Sequence, residues 1–199
     1  MKKKLLAFVM AATMVFSLAA CGSSNSNDSS NSGNSSDSDS AQSGDEVQTF
    51  KLGSIGPLTG DNAIYGQAVV NGAQLAVDEI NASDSKIKFE FKGEDDEADG
   101  EKAVNAYNTM MDEGMQVLVG PTTTGASLTV SDQTNADRTF MLTPSASSPD
   151  VTKDKDNVFQ VCFTDPNQGA SAAELVSTKA LGTKVGVIYD SSDDYSSGL

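Results

Sequence analysis

The sequence has no histidine, only two cysteines and few basic residues. Without histidine, a His-based catalytic triad and a His-ligated metal are excluded, and Cys21 and Cys162 alone cannot build a thiolate zinc site. Lys and Arg number 13 against 28 Asp and Glu, a formal net charge of −15 over 199 residues. No basic stripe offsets this acidity. A nucleic-acid backbone would be repelled, so nucleic acid is excluded as a partner. A full membrane span is missing as well. The apolar run at residues 5–20 is about 16 residues long, short of the roughly 20 that a spanning helix needs. No pattern in the chain calls for a cofactor.

What is present at the N-terminus is an address. Lys2, Lys3 and Lys4 precede the apolar run, and Leu18-Ala19-Ala20-Cys21 closes it with small residues. Charge, apolar stretch and small-residue exit together predict an export signal over residues 1–21. The closing Leu-Ala-Ala-Cys resembles a bacterial lipobox, which implies cleavage before Cys21 and acylation of its thiol. Two or more acyl chains would hold the product stably at a membrane, where one chain is marginal. Residues 22–46 are almost entirely Ser, Asn, Asp and Gly. They offer too little apolar surface to offset chain entropy, so the composition predicts an unfolded tether. Without the three signal lysines and the tether's Asp28, Asp37, Asp39, Asp45 and Glu46, ten basic and 23 acidic residues remain. The acidity belongs to the folded part too.

From residue 47 onward the chain alternates strand and helix patterns. Strands are expected at residues 50–55, 86–92, 116–120, 139–143, 158–163 and 185–189. Helices are expected at about 63–81, 101–111, 126–136 and 167–180. In the first helix Tyr65, Val69, Ala73, Ala76 and Ile80 form one stripe, and in the second strand Ile87, Phe89 and Phe91 alternate inward. This order predicts an α/β fold: a doubly wound, mostly parallel sheet with right-handed crossovers. Ligands in such sheets gather at the carboxyl ends of the strands. Those ends are residues 56–62, 93–100, 120–125 and 144–149; three are rich in hydroxyls and glycines and the second is acidic. A strand at residues 185–189 with no helix after it cannot cover both faces. Its placement suggests a first lobe over residues 47–165 and the opening of a second, truncated lobe at 166–199.

Several stretches together carry a family resemblance. They are Gly56-Pro57-Leu58-Thr59-Gly60 with Tyr65-Gly66, Asn71-Gly72-Ala73 through Ala76-Val77-Asp78-Glu79-Ile80-Asn81, and Val119-Gly120-Pro121. Thr143-Pro144-Ser145-Ala146-Ser147, Phe163-Thr164-Asp165-Pro166-Asn167-Gln168-Gly169, and Tyr189-Asp190 with Tyr195 and Gly198-Leu199 follow in order. In this the chain resembles the type I periplasmic binding proteins that feed branched-chain amino acid ABC transporters. The resemblance implies two α/β lobes closing on a small amino acid ligand, delivery to permease and ATPase subunits, and no catalysis. A whole member is about twice this length, so the carboxylate that holds the ligand ammonium is expected beyond Leu199.

An amino acid needs donors for its carboxylate, acceptors for its ammonium and a surface for its side chain. Residues 120–125 lead into a helix N-terminus, where free N–H groups and the dipole favour an anion. The resemblance assigns a hydroxyl contact to Thr124 and a backbone contact to Thr122; the same threonines could instead cap the helix. It likewise assigns the Ser145 carbonyl to the ammonium and the Ser147 hydroxyl to the ligand, where a Ser-rich turn is the alternative. Tyr65 would line the side-chain pocket or merely pack on its helix, and Tyr195 would close over the ligand. The acidic run Glu94-Asp95-Asp96-Glu97-Asp99 could hold a divalent cation, but reads better as a solvated acidic loop. Some relatives carry a disulfide at positions that here are Ala98 and Thr123, so that bridge cannot form. Cys162 is expected to pack as a small hydrophobe in its strand. The rival readings are a receptor for short amides or urea, a sensory protein without a transporter, and a surface enzyme.

Overall fold

The computed structural model describes residues 46–199, which belong to one unit. The export signal, Cys21 and all of the tether but Glu46 lie outside the described residues. The chain runs β1 (Gln48–Gly56), α1 (Ala63–Ala82), β2 (Ile87–Asp95), α2 (Gly100–Asp112), β3 (Val117–Val119), α3 (Thr124–Asp137) and β4 (Phe140–Thr143). A 3-10 turn at Pro149–Val151 then leads to β5 (Val158–Gln160), α4 (Asp165–Thr178) and the short α5 (Asp194–Gly198). The five strands form one parallel sheet in the order β2-β1-β3-β4-β5. Among the described residues no helix is long and apolar enough to cross a membrane.

The handedness of the crossovers places the helices. From β1 the chain moves one way along the sheet to β2, and from β2 onward it moves the other way to β3, β4 and β5. Right-handed connections running in opposite directions lie on opposite faces. Hence, among the helices that connect described strands, α1 lies on one face while α2 and α3 share the other. On the shared face Ile55, Leu118, Met141 and Val158 meet Ala103, Tyr107 and Met110 of α2 and Ala126 and Val130 of α3 to form the core. Each large side chain withdrawn there contributes roughly 1.5–3 kcal/mol. Tyr107, fully buried, donates its hydroxyl to Asp137 Oδ2 at 2.9 Å, and burial pushes its pKa up to about 12.

On the other face α1 lies over β1 and β2. Val69, Ala73, Ala76 and Ile80 with Leu52, Val117, Val119 and Phe140 border an open apolar groove of about 660 Å³. The expected helical stripe is therefore apolar but not enclosed: Tyr65 is 60 % exposed, Ile80 is 37 % exposed, and Gly66 and Val77 are the residues of α1 that are buried. Gly66 makes that seat possible, since a Cβ there would collide with the Pro57 carbonyl. Strand β2 is an edge strand, so Ile87 is exposed while Phe89 and Phe91 are half-buried.

Two expectations need correction. Residues 185–189 form no strand; no strand of the sheet pairs with them, and Val187 and Ile188 are exposed. An apolar run needs a neighbouring ladder to become a strand, whatever its propensity. Strand β5 also ends at Gln160, which leaves Cys162 half-buried in the loop beyond it.

Candidate functional site

Parallel strands put all their carboxyl ends at one edge, and the connecting loops meet there. The loops after β1, β3 and β4 join the turn preceding α5 around a cavity of about 600 Å³. It is lined by Tyr65, Thr122, Thr124, Ser145, Ser147 and Tyr195, all six residues expected from the sequence to contact ligand. Asn62, Thr123, Phe163, Asp190, Asp193 and Ser196 complete the wall.

The β3–α3 loop supplies donors. Thr123 is the N-cap of α3, yet its side chain makes no capping hydrogen bond. The capping alternative for the threonine run therefore fails. The free N–H groups of the first turn keep their partial positive charge. The Thr122, Thr123 and Ser147 hydroxyls have no hydrogen-bond partner although Thr122 and Ser147 are each only 2 % exposed. A buried hydroxyl left unpaired costs about 1–3 kcal/mol. Thr124, also buried, accepts from the Ser147 N–H at 3.4 Å, which joins the β3 and β4 loops. Beneath them Thr143 Oγ1 donates to the Pro121 carbonyl at 2.7 Å and accepts from the Ala146 N–H at 3.0 Å. Cys162 Sγ donates to the Ala146 carbonyl at 3.1 Å, so the thiol props up the Ser145–Ser147 turn from outside the strand. Glycine is required at position 56, because a Cβ would collide with Thr122 Oγ1.

The acidic run is solvated in part: Glu97 and Asp99 are exposed and Glu94 and Asp95 half-exposed, while Asp96 departs from the expectation. Asp95 accepts from the Leu58 N–H at 2.7 Å, from Thr59 Oγ1 at 2.6 Å and from the Glu97 N–H at 2.9 Å, fixing the loop that leads to Asn62 and Tyr65. Burial pushes its carboxyl upward, but those hydrogen bonds prevail and hold it below the ordinary value. Asp96 is fully buried. Its burial lifts the pKa to about 6, against the Ala98 N–H that binds Oδ1 and with help from the Asp95 charge. Glu94 pairs with Lys92 at 2.9 Å, Glu97 with Lys102 at 2.6 Å, and Asp99 caps α2. Among the described residues no group of three or more such side chains is placed to hold a metal ion.

On the far wall Tyr195 is held to α4 by Gln168, whose Nε2 lies 3.0 Å from the phenolic oxygen. Asp190 Oδ1 accepts from the N–H and hydroxyl of Ser192, and Asp193 Oδ2 from the Ser196 N–H. Asn62, Phe163 and these two aspartates were missed in the sequence. Asn62 and Asp193 carry a readable signal: each is a polar residue directly ahead of a helix. Phe163 carries none.

The chain is similar to known proteins over most of its described residues. The sequence profile described as periplasmic binding protein matches residues 49–199. The chain is 37 % identical over 142 residues to the Leu/Ile/Val-binding protein BraC3 of Rhizobium johnstonii, covering 70 % of this chain and 39 % of that one. The crystal structure of the branched-chain amino acid transporter substrate-binding protein LivJ of Streptococcus pneumoniae, with isoleucine, superposes at TM-score 0.71 and 32 % identity over 76 % of this chain and 44 % of LivJ. The leucine-binding protein LivK of Thermotoga maritima superposes at 0.70 and 30 % identity, over 75 % and 43 %. The chain thus spans about two fifths of the length of the curated relatives it matches.

Proposed function

From the premise that this chain belongs to the periplasmic binding protein family, we propose that it is part of the substrate-binding component of an ABC transporter for branched-chain or related small amino acids. The observation that carries the reading is the convergence of Thr122, Thr123 and Ser147, three hydroxyls without partners, beside the free N–H groups of α3 at the strand ends. A ligand carboxylate seated there would accept from both, in the way anions sit at helix N-termini. The Ser145 carbonyl is offered to an ammonium, and Tyr65 and Phe163 offer apolar surface to a side chain. The volume falls in the roughly 300–1,000 Å³ range of small-molecule sites. Catalysis is not part of the proposal. Ser147 Oγ has no hydrogen-bonded base to activate it, and the sequence has no histidine.

In the whole protein, residues 47–165 form most of one lobe and residues 166–199 open the second. The lobes close on the ligand by a hinge, and the closed form is read by permease and ATPase subunits. The protein works outside the cytoplasm, held to the membrane by lipid on Cys21 after cleavage of residues 1–20. Calorimetry of the full-length protein with leucine, isoleucine, valine and urea tests the function. Binding of the aliphatic amino acids supports it; binding of urea alone, or of none with turnover of a substrate, refutes it.

A further inference from the structure

The turn after β4 gives most of its carbonyl groups to the segment that leaves β5. The Thr143 carbonyl accepts from the Val161 N–H at 3.2 Å, and the Ser147 carbonyl from the Asp165 N–H at 3.0 Å. Between them the Ala146 carbonyl accepts twice, from Gln160 Nε2 at 2.9 Å and from Cys162 Sγ at 3.1 Å. A thiol is a weak donor, so the Gln160 amide is the stronger of the two anchors. Gln160 is half-buried at the end of β5, paired with Thr143, and is not part of the cavity wall. Among the described residues no donor reaches the Ser145 carbonyl, and Ser145 is the exposed residue of a turn whose Ala146 and Ser147 are buried.

We propose that Gln160 is a positioning residue for ligand binding: by tying the Ala146 carbonyl to β5, it keeps the neighbouring Ser145 carbonyl as the open acceptor of the turn. The proposal rests on the function proposed above and deepens it. The Ser145 carbonyl and the Ala146 N–H share one trans peptide plane, in which they point opposite ways. That N–H donates to Thr143 Oγ1 at 3.0 Å, so the Ser145 carbonyl is aimed away from Thr143. The next plane carries the Ala146 carbonyl, and the two planes turn against each other only through the dihedrals of Ala146. Gln160 fixes that second plane. Without its amide the buried Ala146 carbonyl loses its better donor, and a buried carbonyl short of a partner draws its peptide toward another. The Ser145 plane then follows. Gln160 thus acts on the ligand through the backbone, without touching it. Hydrogen bonds to charged groups are strong enough that misplacing this acceptor should weaken amino acid binding by about tenfold or more.

The test is calorimetry of the full-length protein with the tightest-binding of leucine, isoleucine and valine, with thermal melts showing that each variant is folded at the assay temperature. Gln160→Met keeps the length of the side chain and removes the donor. Gln160→Glu keeps its shape, and the carboxyl regains an O–H donor once it is protonated. Near pH ~7 both variants are expected to bind about tenfold more weakly than the unmodified protein. Near pH ~4.5 the introduced carboxyl, raised by burial, takes up its proton; Gln160→Glu is then expected to recover most of its affinity and Gln160→Met none. Each value is taken relative to the unmodified protein at the same pH, and the amino acid stays zwitterionic throughout. Unchanged affinity in Gln160→Met, or equal losses in both variants at both pH values, overturns the proposal and leaves the proposed function standing. Binding of none of the three amino acids by the unmodified protein overturns the proposed function itself, and this proposal with it.

Discussion

Replacing Ser147 by Ala and Thr143 by Val separates two buried hydroxyls that burial alone cannot tell apart. Both residues are on or beside the β4 loop, at 2 % and 0 % exposure. Thr143 Oγ1 donates to the Pro121 carbonyl at 2.7 Å and accepts from the Ala146 N–H at 3.0 Å. Thr143→Val strands both partners, and leaving buried groups unpaired costs about 1–3 kcal/mol each, so the variant should lose at least that much stability. Ser147 Oγ has no partner. Ser147→Ala removes one small polar atom that makes no bond, so its unfolding free energy should stay level or rise by up to about 1 kcal/mol. Ligand affinity should move in the opposite sense. Loss of a hydroxyl donor to a carboxylate weakens leucine binding by about tenfold to a hundredfold, since hydrogen bonds to charged groups contribute about 1.5–3 kcal/mol. Urea denaturation and calorimetry on the full-length protein read both quantities. A Ser147→Ala variant that loses about 2 kcal/mol of stability would show that the hydroxyl serves the fold, and the argument for a waiting donor would fail.

Gly56→Ala forces a methyl group onto Thr122 Oγ1 and should cost about 1–3 kcal/mol; adding Thr122→Ala should recover much of that, and additive losses in denaturation would refute the contact. Asp96 has a folded pKa near 6 against an ordinary 3.8, so between those values the folded state binds more protons than the unfolded chain. Its contribution therefore falls as pH rises from about 4 to 6, and Asp96→Asn should flatten that part of the stability–pH curve; an unchanged slope contradicts the assignment. Cys21→Ser should abolish acylation and release the protein from the membrane fraction. A variant that stays in that fraction at the processed mass would sink the lipid anchor.

The candidate site's residues could be picked out in the sequence because their pattern is local. A Gly-Pro-Thr-Thr-Thr-Gly run after an apolar strand, and a Pro-Ser-Ala-Ser-Ser-Pro run after the next, name their own positions once the strands are known to be parallel. What the sequence could not show is which hydroxyl is spent inside the fold. Thr143 and Ser147 belong to the same Ser/Thr-rich segment, and only the partners brought by Pro121 and Ala146 distinguish them. Within the acidic run only Asp96 departs from the solvated reading, buried in a way its neighbours in sequence do not show. Lys92 and Lys102 pair with Glu94 and Glu97 from a few residues away, while Leu58 and Thr59 reach Asp95 from more than thirty positions off.

Apolar periodicity reports what a residue is, and topology decides what covers it. The α1 stripe was read correctly as apolar, and in a helix paired with others on its face it would have been enclosed. Among the described residues no second helix joins it. One connection runs from β1 outward to β2, and all later ones run back across the sheet. With right-handed crossovers this leaves α1, among the described helices, apart from α2 and α3, which share the core. The same step explains why Leu118 and Met141 are fully buried while Phe140, one residue along and on the opposite face, is 42 % exposed and stacks on Phe159 at 5.3 Å. Alternation along a strand is a two-residue property. Which of the two faces is dry is a property of the order of five strands, and that order is set by contacts between residues tens of positions apart.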